Sequence, residues 1–211
     1  MTTARNVADW YQDKFHNSRN CWPTMKSDHE ALVFLTKIYN IESVFEFGTF
    51  EGYTTLLLWL QNSIKRIKTI DINDKFETNY CNPSHLLRNK NFYGSFIKGT
   101  PVEMEFYDSM KYEVEEEEQY DMIFIDGNHD YEHVMNDTEL ALEMNPKIIV
   151  WHDYGTADDV TNYINELKDS NVNIRQYGNG SIIAWMEISK EAEEIGKKIT
   201  KLKEGDNDII L

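Results

Sequence analysis

Three short stretches of the 211-residue chain combine residue types that can do chemistry. The first is Phe45-Glu-Phe-Gly-Thr-Phe-Glu-Gly-Tyr-Thr-Thr55, where a short apolar run meets two glycines. Glycine allows a sharp backbone turn, and a second glycine lets a following helix start against a ligand at its positively polarised amino end. A strand-to-helix turn can also need two glycines for geometry alone. The spacing Gly48-x-x-x-Gly52 has no glycine at position 50 and so departs from the G-x-G-x-x-G pattern of nicotinamide dinucleotide sites. If Gly48 faces a ligand, a bulky residue there is expected to block binding and leave the fold intact. The second stretch is Lys68-Thr-Ile-Asp-Ile-Asn73. A carboxylate closing a strand, as Asp71 does, can accept hydrogen bonds from both hydroxyls of a ribose, although an ordinary strand-end aspartate looks the same. The third is a pair of strand ends, Ile123-Phe-Ile-Asp-Gly-Asn-His129 and Ile149-Val-Trp-His-Asp-Tyr-Gly155. If these strands are parallel neighbours, about 4.8 Å apart, Asp126 and Asp153 converge at the carboxyl edge of the sheet. Like charges so placed repel unless a cation lies between them or one is protonated. A divalent ion meets that need, and His152 can supply a third ligand; the plainer alternative has His152 packing and Asp153 capping the next segment. His129 either faces this edge or is a structural histidine.

The elements that would position these residues alternate helix and strand from about residue 27 to 168, the pattern of a parallel sheet covered on both faces. Ser27 with Glu30 forms a capping box ahead of Ala31, Leu32, Leu35 and Ile38 at helical spacing. Strands are expected at 43–47, 66–72, 95–98, 120–126 and 147–151. Helices are expected at 53–60, 132–144 and after Thr156, which caps a helix bearing Val160, Tyr163, Ile164 and Leu167. Residues 74–93, interrupted by Asn82-Pro83, read as a loop with a helical stretch. Strands at 173–177 and 181–188 flank Gly178-Asn179-Gly180, a hairpin signal. The whole reads as one domain over 1–211, with a core of about 27–188, an amino-terminal lid (1–26) and a charged helical tail (190–211) suited to a surface or homodimer contact.

Composition narrows the partners. A net charge of −16, from 37 acidic and 21 basic residues, argues against a nucleic-acid ligand, which requires a basic face. The run Glu113-Val-Glu-Glu-Glu-Glu118 reads as a solvated loop. No apolar run approaches the roughly 20 residues of a membrane span. The amino terminus lacks the basic-then-apolar layout of a secretory signal, and Cys21 and Cys81 fit neither a metal motif nor a disulfide framework. The expectation is a cytoplasmic protein.

Asp121-Met-Ile-Phe-Ile-Asp-Gly-Asn-His-Asp-Tyr-Glu-His-Val-Met-Asn-Asp137, with Trp151-His-Asp-Tyr-Gly155 and the Glu46–Thr54 turn, resembles class I S-adenosylmethionine-dependent methyltransferases. The likeness is to the macrocin-type small-molecule O-methyltransferases and, more distantly, to catechol O-methyltransferase. It implies a Rossmann-like α/β fold: a seven-stranded, mostly parallel sheet with helices on both faces, ending in an antiparallel hairpin whose last strand inserts beside the fifth. It implies S-adenosyl-L-methionine as cofactor and a hydroxylated small molecule, a sugar or an aromatic, as acceptor. Gly48, Thr49, Gly52 and Tyr53 would line its methionine and ribose, with Glu46 beneath the turn. Asp71 would hold the ribose hydroxyls, Ile72 would lie against adenine, and Thr100, just after the third strand, near the adenine edge. Asp126 would serve both cofactor and metal, with His152 and Asp153 as further ligands of Mg²⁺ or Mn²⁺. Asp126, His129 and His152 are the candidate catalytic residues. Several relatives carry an acidic residue at the position of His152, and an imidazole there shifts preference away from Mg²⁺. The alternatives are a protein of this fold that binds the cofactor without methyl transfer, and a nicotinamide-dependent oxidoreductase.

Overall fold

The computed structural model describes residues 26–72, 93–178 and 180–188. The expected lid, the 74–93 loop up to residue 92, both cysteines and the tail lie outside them.

The amphipathic segment Lys26–Ile38 forms α1, followed by β1 (Ser43–Phe47), α2 (Tyr53–Trp59) and β2 (Arg66–Asp71). After residue 93 come β3 (Glu103–Phe106), a 3₁₀ turn (Ser109–Lys111), β4 (Met122–Ile125), α3 (Tyr131–Glu143) and β5 (Ile148–Trp151). The chain then forms α4 (Asp158–Asp169), β6 (Ile174–Gln176) and β7 (Ala184–Glu187). The strands form one seven-stranded sheet in the order β3-β2-β1-β4-β5-β7-β6. The β1–β2, β1–β4, β2–β3 and β4–β5 pairs are parallel, and β7 runs antiparallel to both β5 and β6. This is the expected architecture, including the insertion of the last strand beside the fifth.

Strand periodicity sorts the core into two layers. Phe45, Phe47, Ile123, Ile125, Ile149 and Trp151 face α3 and α4, where Val134, Leu140, Val160, Tyr163, Ile164 and Leu167 complete one cluster. Val44, Met122, Phe124, Ile148 and Val150 face the other way, against Ala31, Leu32 and Leu35 of α1 and Leu58 of α2. The same alternation continues past the strand ends. Glu46, Asp126 and His152 fall in step with the second set, on the α1/α2 side of the sheet.

Three local expectations change. Residues 95–98 are not a strand: the backbone turns between Gly94 (φ +63°) and Gly99 (φ +80°), with the Thr100 hydroxyl donating to the Ile97 carbonyl at 2.6 Å. The third strand is Glu103–Phe106, paired among the described residues only with β2 and half open to solvent, so its apolar signal is weak. Thr156 does not cap α4; its hydroxyl bonds to the Asp153 carboxylate (2.9 Å) and carbonyl (3.1 Å), and α4 starts at Asp158. The acidic run is not wholly solvated either. Glu118 is buried, 2.7 Å from the Lys68 ammonium, and accepts the Tyr112 hydroxyl, so it closes the bottom of β2 against its neighbours.

Candidate functional site

Glu46 is fully buried on β1, and its Oε2 accepts hydroxyl bonds from Thr55 of α2 (2.5 Å) and Thr69 of β2 (2.7 Å). The Thr69 and Thr49 hydroxyls share a further bond of 2.6 Å, so one carboxyl ties the glycine turn to both flanking elements. Burial pushes the Glu46 carboxyl up to about 8, against the pull of the two threonine bonds; the nearby Asp126 and Asp71 charges add to the rise. Burial likewise raises Asp71 to about 6 and Asp137 to about 7. A carboxyl whose folded pKa is raised makes the folded state bind more protons than the unfolded chain between the two values. Stability therefore falls as pH rises from about 4 towards 8 on account of these groups. Thermal unfolding of the free protein should show that decline, and Glu46→Gln should flatten its upper part; an unchanged slope would mean Glu46 is ionised throughout.

The turn needs its glycines for geometry, the plainer of the two reasons the sequence offers. Gly48 has φ +91°, and a Cβ there would lie 2.1 Å from the Asp126 carbonyl oxygen and 2.9 Å from Gly127 Cα. At Gly52, which begins α2 with φ +79°, a Cβ would meet the Ile97 side chain at 3.2 Å. The space beside Gly48 is taken by the end of β4, so the residue sets strand against turn, and a bulky replacement would strike protein before ligand.

Asp71 lies on the α2 side at the end of β2 and braces the turn. Its Oδ2 accepts the Phe50 amide (2.6 Å) and its Oδ1 the Ile72 amide (2.7 Å). Each carboxylate oxygen has a second lone pair, so acceptance of ribose hydroxyls remains open. Beside it, the Tyr107 amide donates to the Asp71 carbonyl at 2.8 Å, which brings the residues following β3 to the same edge. There Asp108 caps the 3₁₀ turn through Met110 N (3.1 Å), and the Asn136 side chain holds the Ser109 carbonyl at 3.0 Å. Thr100 precedes β3 rather than following it. Because β3 runs parallel to β2, Thr100 belongs to the amino end of the strand, away from Asp71. The position expected of Thr100 is held by Tyr107 and Asp108, which the misplaced third strand concealed. Asp137 was also overlooked. It lies on the buried face of α3 with His133, Val134 and Ala141, a carboxyl within an apolar stripe, and that is its sequence signal.

The β4 and β5 ends do converge. Ile125 pairs with Trp151, so the next residues opposite each other are Asp126 and His152. Asp153 joins them because it adopts φ +59°, a left-handed conformation unusual for a residue with a side chain, which swings its carboxylate back towards His152. His152 Nδ1 is 3.2 Å from Asp126 Oδ1 and 3.0 Å from Asp153 Oδ2. The ligand atoms of Asp126, His152 and Asp153 lie within 4.8 Å of one another. His129, half exposed, places Nε2 at 3.0 Å from the same Asp153 oxygen, so it faces this edge. A third carboxyl comes from an unexpected quarter: Asp28, fully buried in the first turn of α1, lies 3.6 Å from His152 Nε2. Burial would lower the His152 pKa, but the Asp126 charge, the bonds to Asp126 and Asp153 and the nearby Asp28 carboxylate override it and push it up to about 12. Burial would raise Asp153, yet bonds from His129 and His152 hold it well below the usual carboxylate range. The cation that the strand-end motifs lack in Lys or Arg is thus available in His152 itself.

Residues 45–154 match the model of a family described as a methyltransferase domain. No curated protein sequence matches the chain. Among solved structures, the O-methyltransferase from Bacillus cereus in complex with SAH is similar over 89% of this chain and 91% of its own, at 16% identity and a TM-score of 0.54. The O-methyltransferase TomG from Streptomyces achromogenes, in complex with SAM, is similar over 87% and 89%, at 13% identity and a TM-score of 0.57. The SAH-bound methyltransferase PaMTH1 from Podospora anserina is similar over 88% and 87%, at 12% identity and a TM-score of 0.56. At these identities the neighbours bear on the fold alone. A family match spanning more than half of the chain, over the glycine turn and both strand ends, places it further: the chain belongs to the methyltransferase domain family.

Proposed function

We propose that the protein transfers a methyl group from S-adenosylmethionine to a hydroxyl of a small molecule. The observation that carries this reading is the assembly, on one carboxyl edge, of a ribose-type acceptor (Asp71) and a polar cluster (Asp126, His129, His152 and Asp153) on either side of the Gly48 turn. When bound, the cofactor supplies an electrophilic methyl carbon. The chain's own part is placement, which accounts for much of the rate in such displacements. Asp71 and the turn amides would hold the nucleoside end, Ile72 and Tyr107–Asp108 would border adenine, and Gly48, Thr49, Gly52 and Tyr53 would line the amino-acid end above Glu46. The acceptor hydroxyl then meets Asp126 and His129. There the acceptor oxygen would take up the methyl carbon of the bound cofactor, the sulfur keeping the electron pair of the bond that breaks. The hydroxyl proton passes to His129, whose Nε2 is engaged with Asp153, or to Asp126.

The Asp126, His152 and Asp153 donors fit a divalent ion. Neighbouring ligands of an ion bound at about 2.1 Å are about 3 Å apart, and the Nδ1–carboxylate distances of 3.0 and 3.2 Å match. Held there, the ion would lower the pKa of the acceptor hydroxyl. One nitrogen among the ligands favours Mn²⁺ over Mg²⁺. A second reading rests on the Asp28–His152 pair: a protonated His152 neutralises the carboxylates without a metal, and His129 alone takes the proton. Transfer of radiolabelled methyl to hydroxylated small molecules, assayed in chelator and after metal add-back, separates the two. Loss in chelator and recovery with Mn²⁺ is expected; full turnover in chelator would establish the second reading. Binding of the cofactor with no transfer to any acceptor would indicate a sensor of the same fold.

A further inference from the structure

Asp28 belongs to no motif of the fold's nucleotide site, yet its surroundings are built with care. It is fully buried in the first turn of α1. Its Oδ1 accepts the Ser181 hydroxyl at 2.6 Å and the Ile182 amide at 2.9 Å, both from the segment entering β7. Those two donors fix the carboxylate plane and leave Oδ2 aimed at His152 Nε2, 3.6 Å away. Among the described residues His152 Nε2 is itself buried without a hydrogen-bond partner, the Asp28 carboxylate lying just beyond hydrogen-bond distance. The other ring nitrogen faces Asp126 and Asp153. Strand parity explains the meeting: His152 continues the Ile148–Val150 face, which packs against α1.

We propose that Asp28 is a positioning residue for His152, holding a proton on Nε2 and turning Nδ1 towards Asp126 and Asp153. A buried carboxylate orients an imidazole in this way when it accepts the ring's outer N–H, and it makes the inner nitrogen a better ligand. The arrangement also couples the site to two elements remote in sequence, since α1 and the β7 entry share the same carboxylate. Without Asp28 the ring is free to flip, and either nitrogen can face the strand ends. The proposal rests on His152 belonging to the site described above.

The test reads the ring directly. In ¹⁵N NMR of the wild-type protein at neutral pH, with His152 assigned by its disappearance in H152Q, Nε2 should carry a proton. Asp28→Asn keeps an oxygen for Ser181 and Ile182 but turns an amide donor towards Nε2–H. It should shift the His152 ring signals, weaken Mn²⁺ binding by roughly tenfold as loss of such outer partners does, and leave S-adenosylhomocysteine affinity unchanged. Ser181→Ala, which cuts one tie to the carboxylate without touching the ring, should move these signals less. An unprotonated Nε2 in the wild type overturns the proposal even if Asp28→Asn does not fold; so do unaltered His152 signals in a folded Asp28→Asn. If the wild type binds no Mn²⁺ but the ring behaves as described, the metal reading fails and the role of Asp28 stands.

Discussion

Asp153→Asn should lower methyl-transfer turnover by roughly 10²–10⁴-fold, the range for loss of a positioned acid–base group, while S-adenosylhomocysteine binds as before. Asp153 is held in a left-handed backbone conformation, and its one carboxylate oxygen contacts both His129 and His152. Amidation removes a charge from that shared position, so a bound ion would lose a ligand and His129 would lose the partner that orients its ring. The proposed nucleoside end of the edge is Asp71 with the turn it braces through the Phe50 amide, whereas the bonds of Asp153 run to His129 and His152. Turnover at saturating acceptor, with calorimetric affinity for S-adenosylhomocysteine alongside, checks the split. Equal losses in both would mean that Asp153 supports the edge as a whole. Asp126→Asn is expected to lose both, because Asp126 lies beside the turn, its backbone carbonyl facing Gly48.

Gly48→Val should destabilise the fold by about 3 kcal/mol or more, the scale of a forced overlap in a packed region. The added Cβ would sit 2.1 Å from a backbone oxygen that cannot rotate away, and φ +91° is strained for any side chain. Denaturant unfolding measures the loss. A variant as stable as the wild type that merely fails to bind cofactor would show that the β4 end yields, and that the glycine serves the ligand. The sequence offers two reasons for Gly48, ligand approach and turn geometry; the structure carries the second, since β1 and β4 are neighbours and their carboxyl ends crowd each other.

That distinction marks what the chain revealed in advance. Strands buried on both faces, such as Ser43–Phe47, Met122–Ile125 and Ile148–Trp151, are dense in apolar residues and fell close to their expected bounds. From them follow the sheet order and the meeting of Asp126, His152 and Asp153. The edge strand Glu103–Phe106 carries two glutamates and little burial, so the more apolar Ser95–Lys98 drew attention instead, and Thr100 was misplaced with it. Asp28 and Glu118 were opaque for another reason. Each is a charge in a polar local context, read naturally as solvated, and each is buried only because a residue far along the chain, His152 or Lys68, meets it. Pairing across such separations is a property of topology, and local pattern carries no trace of it. Asp137, by contrast, carries a local signal that the sequence reading leaves unused, a carboxyl on an apolar helix face.

The most direct test of the account is calorimetric titration of S-adenosylhomocysteine and NAD into the wild type and Asp71→Ala. S-adenosylhomocysteine should bind the wild type and NAD should not. Asp71→Ala should weaken binding by roughly 1.5–3 kcal/mol, as expected for hydrogen bonds to a charged group, through loss of both the ribose acceptor and the brace on Phe50. No heat with S-adenosylhomocysteine, or equal affinity in the two proteins, would contradict the placement of the cofactor at this edge.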